Sequence, residues 1–150
     1  MVPYLGAGHS FATWLDSLFP RLVYWLREDT YMPLLAKGLG LGSAVVQGKV
    51  RNVAKAADIQ AIQEGDIVVC DTIRLIQSCG RGKIDLAAAV ITDSTGEMEQ
   101  LSQFSCELNI PCVGGTVYAT QLLHSGLQVL VDATGGLVHG IYQQAGNNDI

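Results

Sequence analysis

The spacing of hydrophobic positions changes along the chain. In "SFATWLDSLFPRLVYWLRED", Phe11, Leu15, Leu18, Leu22 and Leu26 fall on one stripe, with Trp14, Phe19 and Val23 beside it. That is helical periodicity. Ser10 suits the start of the helix, and Pro20 predicts a kink or two short helices. Asp16, Arg21, Arg27 and Glu28 break any membrane-spanning reading. Three uses fit such a stripe: packing on its own domain, docking a partner or a second copy, or resting on a membrane surface. The polar face is not rich in Lys or Arg, which weakens the last of these.

From "GLGLGSAVVQGKVRNV" onward the pattern shortens. Val45, Gly48, Val50 and Val53 predict a strand entered through glycine turns. "EGDIVVC" reads as a turn and a short apolar strand. "IRLIQSCGRGKIDLAAAVITD" runs through a glycine-rich link into an apolar run that suits a strand buried on both faces. A helix is expected over 97–108 with Asn109 as its C-cap, then a strand start at "IPCVGG". "ATQLLHSG" is a helical turn closed by Gly126. "LQVLVDATGGLVHGIY" is two strands joined by a Gly-Gly turn. The class is α/β, with sheet and helix in layers. The expected organisation is a helical extension over 1–35, a domain over 36–143 and a frayed tail over 144–150.

Composition narrows the function. With 150 residues, 49% hydrophobic and 15% charged, the chain suits one domain with a real core. The net charge is −5 and the nine basic residues are scattered, so nucleic acid is not expected as a partner. Cys70, Cys79, Cys106 and Cys112 form no CxxC pair and have no histidine at ligand spacing, so no metal site is expected. With no secretory signal in view, they read as reduced thiols of a cytoplasmic protein. "GLGLG" and "GGTVYAT" lack the strand, Gly-x-Gly-x-x-Gly, helix order of a dinucleotide site, and no Walker lysine follows a glycine loop. They read as turn glycines, and no cofactor is implied. His9, His124 and His139 are scattered, without an evident nucleophile beside them.

The order of segments "GLGLGSAVVQGKV", "EGDIVV", "AAAVITDSTG", "CELNIPCVGGTVYAT", "SGLQVLVDATGG" and "VHGIY" resembles the phosphohistidine swivelling domain, or mobile domain, of the PEP-utilising enzymes. The resemblance implies a three-layer β/β/α unit. It also implies a phosphoryl group carried on a histidine at a helix start, within a Gly-Gly-x-x-Ser-His-Ala-Ala pattern. Counting back from Pro111, Glu107 falls on the family's glutamate, and Thr95 and Gly96 fall on the two glycines. Glu99 takes the serine place and Gln100 the histidine place. An amide has no nucleophile comparable to a ring nitrogen, because its nitrogen lone pair is delocalised. Glu97 and Glu99 would repel a phosphoryl group, Asp93 adds an acid nearby, and Ser94 with Glu97 has capping-box spacing.

The sequence therefore predicts the shape of a carrier site without its chemistry, and a chain that is not a complete enzyme by itself. The leading expectation is a non-catalytic homologue working through protein contacts. Its partner would be a nucleotide-binding or PEP-binding protein, or a second copy, met through the N-terminal helix. One alternative is a phosphotransfer component using His124 or His139. Another is a small-molecule sensor whose cleft lies beside Gly96, Gly114 and Gly115, with Glu97, Glu99 and Gln100 holding the ligand.

Overall fold

A computed structural model describes residues 30–78 and 82–143. The amphipathic stripe, Ser10, Pro20, Cys79, His9 and the 144–150 tail lie outside the described residues. Two compact units are distinguished: Pro33–Ile141, and Met1–Met32 together with Tyr142–Ile150. Of the second, the described part is a short antiparallel ladder between β1 (Thr30–Tyr31) and β10 (Tyr142–Gln143), with the Tyr31 and Tyr142 rings 6.2 Å apart.

The Pro33–Ile141 unit is built from the strands β2 (Leu34–Lys37), β3 (Leu39–Leu41), β4 (Val45–Val53), β5 (Ile67–Cys70), β6 (Ala89–Thr92), β7 (Cys112–Gly114), β8 (Gln128–Asp132) and β9 (Leu137–Gly140). Its α-helices are α1 (Ala56–Ile59), α2 (Ile73–Ser78), α3 (Met98–Leu108) and α4 (Ala119–Leu122), with a 3₁₀ turn at Gly82–Leu86. The strand order is β2-β9-β8-β4-β5-β6-β7-β3.

β4 is shared by two sheets. Its first half pairs antiparallel with β8, from Val45 opposite Asp132 to Lys49 opposite Gln128. Its second half pairs parallel with β5, from Val50 opposite Ile67 to Val53 opposite Cys70. Gly48 lies just before the handover, where a Cβ would come within 2.2 Å of the Gly65 carbonyl oxygen. Any side chain there would force the two backbones apart.

The parallel strands β5, β6 and β7 are buried along their whole length, as their unbroken apolar runs predict. Alternation then sorts their side chains into two cores. Val68, Cys70, Val90 and Cys112 point toward the helices, where they meet Ile73, Ile76, Leu101 and Phe104. Ile67, Val69, Ala89, Ile91 and Val113 point the other way, onto Val129, Val131 and Val138 of the antiparallel sheet. The result is three layers, β/β/α, with the parallel sheet in the middle.

Several sequence expectations need correction. "GLGLG" is not only a turn: Leu39–Leu41 is an edge strand, antiparallel to β7. Its glycines permit close packing, since a Cβ on Gly40 would sit 1.7 Å from the Ala133 oxygen. Leu34 and Leu35, placed in the helical extension, lie in strand β2. α1 and α2 were not evident from periodicity because each is too short to display it. The β8–β9 hairpin closes through Gly135 and Gly136 as expected, with the Asp132 carboxylate accepting from the Thr134 and Gly135 amides. The entrance and exit of the unit meet: the Gly140 amide donates to the Pro33 carbonyl at 2.9 Å.

Candidate functional site

The C-terminal ends of β5, β6 and β7 converge on one end of the middle layer. Each strand there turns directly into a loop and helix, the arrangement that exposes backbone donors and loop side chains at a sheet end. β6 runs into Asp93, the turn 94–97 and then α3. α3 ends at Asn109, which adopts the left-handed conformation (φ 55°) expected of a C-cap. The Ser105 hydroxyl donates to the Ile110 carbonyl at 2.7 Å, and Pro111 then leads into β7.

Two buried carboxylates hold this end together. Asp93 Oδ1 accepts from the Thr116 hydroxyl and the Ala119 amide, both at 2.7 Å. Its Oδ2 accepts from the Thr120 hydroxyl at 2.6 Å and the Thr120 amide at 3.1 Å. Asp93 therefore satisfies the free donors at the start of α4. Glu97 Oε1 accepts from the Thr72 hydroxyl at 2.7 Å and the Ile73 amide at 3.1 Å, while Oε2 accepts from Thr72 at 2.6 Å and lies 3.3 Å from Arg74 Nε.

This arrangement overturns the expected capping box. Glu97 is itself the N-cap residue of α3, and no side chain caps that helix. Its carboxylate caps α2 instead. The reason is competition between donors: the Ile73 amide is buried and the Thr72 hydroxyl half-buried, and an unmet buried donor is costly.

The remaining site residues divide by exposure. Thr95, Gly96, Glu99 and Gln100 are exposed, the last two on the first turn of α3. Gly114 is buried. A Cβ on it would meet Met98 Sδ and Leu101 Cδ2, each at 2.6 Å, so helix side chains fill the space beside it. Gly115 has φ +71°, and its missing Cβ would lie 3.8 Å from Thr95 Cγ2, which brings the two loops together. His124 is exposed in the loop after α4, and His139 is half-buried on β9 in the antiparallel layer. Neither lies on the turn that starts α3.

Sequence reasoning did not anticipate Thr72, Arg74, Thr116 or Thr120. Thr72 and Glu97 lie 25 positions apart, and no local spacing signals the pair. The sequence placed Asp93 nearby but gave no hint of its four partners.

Val117 adds a backbone feature. Its φ is +70°, and the Tyr118 amide donates to the Thr116 carbonyl at 2.7 Å. That is a γ-turn of the rare, strained hand, centred on a β-branched residue. The Thr116 amide to the Thr92 carbonyl (3.1 Å) and the Val117 amide to the Asp93 carbonyl (3.2 Å) pin it over the end of β6.

Beneath these loops, Cys70 and Cys112 are free and buried, and Cys106 is free and exposed. Burial pushes the Cys70 thiol up to about 12, and the nearby Cys112, Asp71, Asp93 and Glu97 add to the effect. Burial likewise raises Cys112 to about 12, against hydrogen bonds that lower it. Both stay protonated and unreactive near neutrality. Among the described residues no group of three or more His, Cys, Asp or Glu is placed to hold a metal, and no helix is long and apolar enough to cross a membrane.

Comparison with known proteins fits this geometry. The family described as PEP-utilising enzyme, mobile domain, matches residues 62–136. The phosphoenolpyruvate synthase of Pyrococcus furiosus is 37% identical over 108 residues, covering 71% of this chain and 13% of that protein. The probable phosphoenolpyruvate synthase of Archaeoglobus fulgidus is 34% identical over 114 residues, covering 75% of this chain and 14% of that protein. The chain thus spans about one seventh of the length of these relatives. Among solved structures, aconitase X of Thermococcus kodakaraensis shares the fold, with a TM-score of 0.51 at 19% identity over 71% of this chain and 98% of that one. With its three layers, its helix start at the end of β6 and this degree of identity, the chain belongs to the mobile-domain family of the PEP-utilising enzymes.

Proposed function

We propose that this chain is a mobile-domain homologue that does not carry a phosphoryl group and acts through protein contacts in the cytoplasm. The observation that carries this reading is Gln100. It is exposed on the first turn of α3, at the place the family resemblance gives to the carrier histidine, and residues 91–115 contain no histidine at all. A carboxamide cannot form a phosphoramidate of transferable reactivity. Exposed Glu99 beside it disfavours an incoming anion. The fold is kept by other means, since Asp93 and Glu97 serve as internal caps. The part of the helical extension that precedes β2 would supply a contact arm, and the partner would be a nucleotide-binding or PEP-binding protein or a second copy.

The test is intact-protein mass spectrometry at neutral pH, after incubation with ATP, phosphoenolpyruvate and a fresh lysate of the source cells. The expected result is an unmodified mass. A phosphoryl increment that disappears on mild acid treatment would overturn the reading and turn attention to His124 and His139.

A further inference from the structure

We draw no further inference here: the strongest candidate, the apolar patch of Leu34, Leu130 and Leu137 on the outer face of the antiparallel sheet, where Leu130 belongs to neither core and Leu34 is exposed, carries none because nothing in the structure shows what covers it.

Discussion

Asp93 is the residue whose removal should do most damage to this end of the molecule. It is 6% exposed and accepts four hydrogen bonds. The four are not equal. The Thr116 hydroxyl keeps a second acceptor, the Thr92 carbonyl at 3.0 Å. The Thr120 hydroxyl belongs to a half-buried residue and can turn to water. The amides of Ala119 and Thr120 cannot turn, and Ala119 is fully buried. Two stranded amides that had charged acceptors, at about 1.5–3 kcal/mol each, put the cost of Asp93→Ala at about 3–6 kcal/mol. Asp93→Asn keeps one acceptor oxygen but presents an NH₂ group to donors, for about 1–3 kcal/mol. Urea unfolding measures both. With a slope of about 1–3 kcal/mol/M, the alanine midpoint should drop by on the order of 2 M, and the asparagine midpoint by less. A loss below about 1 kcal/mol for the alanine variant would refute the claim that this carboxylate organises the sheet end. So would an asparagine variant as unstable as the alanine one.

Packing and burial elsewhere in the unit set two further outcomes. Gly40→Ala puts a methyl group 1.7 Å from the Ala133 oxygen and should cost about 3 kcal/mol or more, whereas Gly96→Ala meets nothing within 4 Å and should change stability by less than about 0.5 kcal/mol; paired denaturation curves decide this. Burial of the Cys70 and Cys112 thiols gives a signed pH dependence. Their folded pKa values of about 12 lie above the ordinary 9.0, so the unfolded chain loses these protons first and stability should fall as pH rises from 9 toward 12. Each thiol contributes up to about 1.4 kcal/mol per pH unit, and the slope should be shallower in Cys70→Ala than in the parent. Equal slopes would show that the thiol does not titrate as described.

The sequence was most informative where one interaction dominates. Apolar runs at 67–70, 89–92 and 112–114 marked the buried strands, and their period of two already contained the two cores. The stop of α3 at Asn109 was legible because a left-handed cap has a residue preference. The site was less legible because its bonds are long-range. Ser94 and Glu97 satisfy a local spacing rule, yet Glu97 reaches Thr72 and Ile73 across the turn, and only the folded chain makes that choice available. The glycines misled in a similar way: Gly38 and Gly40 look like turn formers, but at both positions a side chain would strike a neighbouring backbone oxygen. Gln100 was read by alignment to a motif, and it lies exposed on the first turn of α3.

The hydrogen bond from Gly140 to Pro33 has a mechanical consequence. The compact unit takes in the chain and gives it back at one corner, a few ångströms apart. Any force or tether arriving through the chain acts at that single corner, so it exerts little stretch across the sheets. The unit can also be spliced into a longer polypeptide without opening a strand. Stretching the unit by its two ends would unzip β2 from β9 first, because that antiparallel pair begins at the loaded corner.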